Sequence, residues 1–275
     1  MKRIYIAAVF IILGIIIFMN IDINNIGLKF LEFVKQVRGQ NVELSEMKNS
    51  DSKTINHDSW TDLLTKYVTP EGFVDYEGFK KDKDELKTYL DLISDNPPKE
   101  DQSDEYKMAY WINAYNAFTI DLIVDNYPLQ SIKKISDGAP MIDSPWDIKF
   151  FKIGGVEFDL NTIEHGILRK EYSEPRVHFA VNCASISCPK LLDEAFTPEK
   201  LDAQLEAQAH YFINNTAKNK ISESKISISK IFNWFAVDFK SDGGASAFIQ
   251  KYVDTDITKA EVSYLDYDWN LNKQQ

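Results

Sequence analysis

This sequence of 275 residues predicts an α+β fold, with a central helix packed on a mixed or antiparallel sheet and a membrane helix at the N-terminus. Three observations predict it. Helical patterns come first and strand-like runs cluster later, as in folds that segregate the two. The apolar-rich stretch from Tyr106 to Tyr127, stopped by Pro128, reads as one long helix. Gly154-Gly155 then joins two alternating runs as a two-residue hairpin turn that tolerates positive φ.

The chain opens on Lys2-Arg3 and an uncharged apolar run from Ile4 to Met19. As a helix the run spans about 24 Å at 1.5 Å per residue, a little short of a hydrocarbon core of roughly 30 Å. Phe18-Met19-Asn20-Ile21-Asp22 lacks the small residues of a cleavage site. Residues 1–21 are therefore expected to be an uncleaved signal-anchor, with the basic pair in the cytoplasm and the rest on the exported side. Cleavage and secretion is the alternative. Residues 22–57 are polar and read as a tether. A single globular domain is expected over residues 58–275.

Within that domain, Trp60, Leu63, Leu64 and Tyr67 recur at helical spacing. A turn through Pro70 and Gly72 leads into a short strand, and Phe79 to Ile93 reads as a helix ended by Pro97-Pro98. On the long helix, Asn113 and Asn116 share an otherwise apolar stripe with Ala117, Ile120 and Val124. Buried amides must find partners, either backbone groups of neighbouring loops or a substrate or imidazole. After the hairpin, Asn161 is positioned to cap a helix through Arg169, with Glu164 completing a capping box. Thr197-Pro198-Glu199 opens the next helix, whose apolar face is Leu201, Leu205, Ala209, Phe212 and Ile213. Lys225–Ile231 and Val262–Trp269 read as strands, and a short helix runs between them to Tyr252.

The stretch from Arg176 to Pro189 concentrates the chemistry. Val177, Phe179 and Val181 alternate with His178, Ala180 and Asn182, so a strand is expected to deliver His178 and Asn182 to a loop bearing the chain's two cysteines, Cys183 and Cys188. The formal charge of −11 excludes a nucleic-acid partner, which would need clustered Lys and Arg. A small-molecule or peptide-like ligand is expected instead, with no cofactor.

Several stretches together resemble one family. Phe73-Val74-Asp75-Tyr76, Tyr110 to Ala117, Ile163 to Arg169, Pro175 to Pro189 and the tail Tyr267 to Asn272 look like the signatures of the domain of unknown function 547 family, over roughly Trp60 to Asn272. The resemblance implies no general activity. A looser analogy is to papain-like and transglutaminase-like architectures, in which a central helix packs on a later antiparallel sheet. In those enzymes the nucleophilic cysteine starts the helix, whereas here both thiols lie in the later loop.

Two functions are open. In the first, Cys183 is a nucleophile, His178 or His165 its base, and Glu164, Asn113 or Asn116 orients the imidazole, with Asn182, Arg176 and Cys188 lining the site. Such a site would cleave or transfer an amide, ester or thioester acyl group. In the second, a structural Cys183–Cys188 disulfide closes a small loop of a ligand- or protein-binding module, as oxidising exposure would favour. Zinc held by Cys183, Cys188, His178 and His165 is set aside, because Cys-x4-Cys is looser than common structural sites.

Overall fold

The computed structural model describes residues 46–135 and 144–274. The expected anchor and most of the tether lie outside these residues. Among the described residues, no helix is long and apolar enough to cross a membrane. The folded unit begins earlier than Trp60. Met47 is buried, Lys48 donates its N–H to the Gly154 carbonyl at 2.9 Å, and Ser52 donates its hydroxyl to the Pro97 carbonyl at 2.6 Å.

Helix α1 (Asp58–Tyr67) buries Trp60, Leu63, Leu64 and Tyr67, the face its spacing predicts. The helix expected over Phe79–Ile93 is two, α2 (Tyr76–Lys81) and α3 (Lys83–Asp95). The break falls at Asp82, whose backbone leaves helical geometry and whose carboxylate accepts the Tyr67 hydroxyl at 2.5 Å. Helix α4 (Asp104–Asn126) is capped by the Ser103 hydroxyl and buried on every side. Strands β1 (Phe151–Ile153) and β2 (Val156–Phe158) form the expected antiparallel hairpin, with positive φ at both glycines of the turn. The hairpin packs on α4 through Phe151 stacked on Phe118 at 3.7 Å and Phe158 against Trp111 at 5.7 Å.

Helix α5 (Leu201–Asn214) bridges two cores. Leu201 and Leu205 belong to the first, around α1–α4 and the hairpin. Ala209, Phe212 and Ile213 belong to the second. Strands β3 (Lys220–Ile221), β4 (Lys225–Ile228) and β5 (Glu261–Tyr264) form a mixed sheet, β4 antiparallel to β3 and parallel to β5. Short helices α6 (Ile231–Trp234) and α7 (Ala245–Gln250) complete this second unit.

The α+β class therefore holds, with a correction to its layout. The central helix lies on a two-stranded hairpin and on helices α2 and α3, while the mixed sheet serves the second core. One larger sheet under the helix, as in the papain-like analogy, is not formed among the described residues.

Two local expectations also change. Residues Thr162–Leu168 form a π-helix. Its first turn is capped by Asp159, whose carboxylate takes the Thr162 N–H at 2.7 Å and hydroxyl at 2.8 Å. Asn161 instead donates its amide to Asp147 at 2.6 Å, so the capping box does not form. The strand expected over Arg176–Asn182 is a 3-10 turn, Pro175–Phe179. Glu174 caps the turn at the Arg176 N–H, and the N–H groups of Ala180 and Val181 both return to the Val177 carbonyl. A strand needs a neighbour to satisfy such groups, and here they close on themselves.

Candidate functional site

The turn and the loop after it lie where the cores meet: Val177 packs in the first core and Phe179 in the second. Helix α4 holds the start of the loop. The Asn116 amide donates to the Ala180 carbonyl at 3.0 Å and its oxygen accepts the Asn182 N–H at 2.9 Å. Asn113 makes the same reciprocal pair with the backbone of Phe196, at 2.8 and 3.0 Å. Both amides are thus spent on backbone. Asn182 then folds the loop, donating to the Pro189 carbonyl at 2.7 Å and accepting the Ala184 N–H at 2.8 Å. That last bond supports Ala184 at φ 58, a left-handed conformation uncommon outside glycine.

Cys183 and Cys188 are joined in a disulfide. Neither sulfur carries a thiolate in this form, so the expectation of a Cys183 nucleophile does not describe the bridged protein. Cys183 is half-buried and Cys188 buried. The Cys183 N–H donates to the Cys188 sulfur at 2.9 Å. The Tyr267 hydroxyl lies 3.3 Å from Cys188 Sγ and 3.4 Å from Cys183 Sγ, with the Ser185 hydroxyl donating to it at 3.4 Å. Burial pushes the Tyr267 phenol well up, with help from the Glu164 carboxylate, so it stays protonated.

His178 does not serve Cys183. Its side chain is 1% exposed, and Nε2 donates to Asp238 at 2.7 Å. The ring stacks on Phe235 at 3.9 Å. Nδ1 is buried without a hydrogen-bond partner among the described residues. Asp238 also takes a two-pronged bond from Arg169, at 2.5 and 3.0 Å. Burial alone would raise the Asp238 pKa. The hydrogen bonds from His178 and Arg169 overcome it and hold the carboxyl well below the usual carboxylate range. Arg169 also donates to His165 Nδ1 at 2.6 Å, so His165 joins this network.

Glu164 is buried on the other side. It lies beside the Tyr115 hydroxyl, whose pKa is raised well above the ordinary value by burial and then by this carboxylate. Around Tyr267 stands a half-buried group of rings. Trp269 meets Tyr267 at 4.6 Å, Trp146 at 5.7 Å and Trp234 at 5.8 Å.

Arg176 is remote from these groups. It is bound by Glu174, Asp202 and Glu206 at 2.7–3.1 Å and lines a shallow hollow of about 370 Å³ with Tyr252 and Lys251. Among the described residues no three His, Cys, Asp or Glu side chains converge as a metal site.

The expected site thus divides. Asn116, Asn182, Cys183 and Cys188 shape the loop, His178 and His165 join Asp238, and Glu164 joins the tyrosines. Sequence reasoning missed Asp238, Tyr115, Tyr267 and the tryptophans. Tyr115, Arg169, Tyr267 and Trp269 lay within the signature stretches without a role assigned to them, and Arg169 also stands four residues after His165 on a helical stretch.

Residues 99–213 match a family described as a protein of unknown function, DUF547. Motifs outside that span belong to the same unit. Val74 donates its N–H to the Asn272 carbonyl at 2.9 Å, Tyr76 donates its hydroxyl to the Asn272 side chain at 2.7 Å, and Leu271 bridges to Ser185 of the loop. No curated protein and no solved structure is detectably similar to the chain.

Proposed function

We propose that this chain, whose residues 99–213 match the DUF547 family, is a membrane-tethered, extracytoplasmic binding module rather than a cysteine hydrolase. The observation that carries this reading is the Cys183–Cys188 bridge, with His178 committed to Asp238 instead of to a sulfur. The bridge holds the loop beside a half-buried face of Trp146, Trp234, Tyr267 and Trp269. Ring faces with few fixed polar groups beneath them suit a small or peptide-like ligand. Glu164, Tyr115 and Ser185 supply those groups here. The N-terminal apolar run supplies the membrane anchor, and the polar residues after it the tether.

Two measurements test the reading. Iodoacetamide applied to native protein purified without reductant is expected to label neither cysteine. Tryptophan emission, titrated with a panel of short peptides and oligosaccharides, is expected to shift with one class and to lose that response in Trp269→Ala. Labelling of Cys183, together with hydrolysis of a thioester or amide lost in Cys183→Ser, would replace this reading with an acyl hydrolase or transferase.

A further inference from the structure

The two sulfurs of the bridge are not equivalent. Cys183 is half-buried and reachable, whereas Cys188 is buried, 5% exposed. Both touch the Tyr267 hydroxyl, and Cys183 Sγ also lies 3.4 Å from the Ser185 hydroxyl, but only Cys188 Sγ receives a backbone N–H, that of Cys183, at 2.9 Å. Ser185 donates to Tyr267, which leaves the phenol proton directed at sulfur. A sulfur that accepts two fixed donors is prepared to hold negative charge, and lowering a thiol's pKa makes it the faster leaving group.

We propose that Cys183–Cys188 is a directional thiol–disulfide exchange site for a low-molecular-weight thiol, attacked at Cys183 and opened toward Cys188. An incoming thiolate forms a sulfur–sulfur bond to Cys183 as the Cys183–Cys188 bond breaks. The electron pair of that bond leaves on Cys188 as a thiolate, held by the Cys183 N–H and the Tyr267 hydroxyl. No external oxidant or reductant enters this step. The Cys188 thiolate can then reclose the bridge by expelling the small thiol, or a second thiol can displace the first as a disulfide and leave the dithiol. Ser185 and Tyr267 cover part of Cys183, which suits a small thiol better than a cysteine fixed on a protein surface.

The opened loop would not simply come apart. Asn182 still ties it to Pro189 and to α4, and Leu271 still pairs with Ser185. The exchange is therefore local, with the rest of the fold as its scaffold. It is independent of which ligand the aromatic face takes.

The test uses the native protein with β-mercaptoethanol at mildly alkaline pH, quenched in acid, alkylated with N-ethylmaleimide and mapped by peptide mass. The mixed disulfide is expected on Cys183 and the maleimide on Cys188, in about tenfold excess over the reverse isomer. Tyr267→Phe keeps the ring but removes one donor to the leaving sulfur. A change of about one pKa unit in the leaving thiol corresponds to roughly threefold slower opening at a Brønsted slope of about 0.5. The melting temperature of this variant, measured without thiol, is expected to stay close to that of the parent. Three results would overturn the proposal: adducts shared evenly between the cysteines, adducts concentrated on Cys188, or a bridge that reacts only after the protein unfolds. An unchanged opening rate in Tyr267→Phe, with the fold intact, would remove the role given to that hydroxyl.

Discussion

A buried histidine and a half-buried aspartate respond to acid in different pH windows. His57 is 3% exposed, and burial lowers its pKa from 6.5 to about 4. Its folded state disfavours the proton, so the stability it contributes is whole above pH 6.5 and is lost as pH falls to about 4. At 1.36 kcal/mol per unit the loss is about 3 kcal/mol. His57→Gln is expected to flatten melting temperature against pH across that window. Asp238 acts lower down. Its carboxyl is held below the unfolded value, so its contribution is present above about pH 4 and disappears as pH falls toward the folded value. Asp238→Asn would leave the half-buried Arg169 uncompensated and cost about 3 kcal/mol at neutral pH, measurable by urea unfolding. Neither role was legible in the sequence. His57 stands in a polar stretch that reads as tether, and Asp238 follows His178 by sixty residues with no motif around it. Contacts of that range leave no local periodicity.

At the scale of elements, periodic patterns were read well where a single face decides the structure. Helices α1 and α5 bury the residues their spacing marks, and the Gly154-Gly155 turn makes its hairpin. The reading fails where a segment's partner is distant. The alternation from Val177 to Asn182 is compatible with a strand, but among the described residues no strand lies alongside it, and Val177, His178 and Phe179 are all buried in a 3-10 turn. That turn depends on α4 for its position. Asn116→Ala would leave the Ala180 carbonyl and Asn182 N–H unpaired in the interior, at a cost of about 3 kcal/mol. Removing the disulfide is expected to matter less. For so short a loop, chain entropy gives about 2 kcal/mol, so a Cys183→Ser, Cys188→Ser double variant should fold with faster amide exchange over residues 182–189.

Across the whole molecule, the signature stretches are tied to one loop. Asn116 holds it at Asn182, Leu271 pairs with Ser185, and Val74 joins through Asn272, although the matched span stops at residue 213. Their order in sequence carried the resemblance to the family but did not reveal that His178 and Glu164 face different partners. The N-terminal run belongs to the same account. Deleting residues 1–21 is expected to move the protein from the membrane fraction to the soluble one, and an unchanged distribution would count against the tether. The most direct test of the central claim, a bridged loop in place of a cysteine nucleophile, is peptide mapping of the native protein without reduction. The account predicts that peptide 177–190, which holds both cysteines, is lighter than its reduced form by the two thiol hydrogens and resists alkylation. A fully alkylated peptide, with Cys183 free in the native protein, would contradict it.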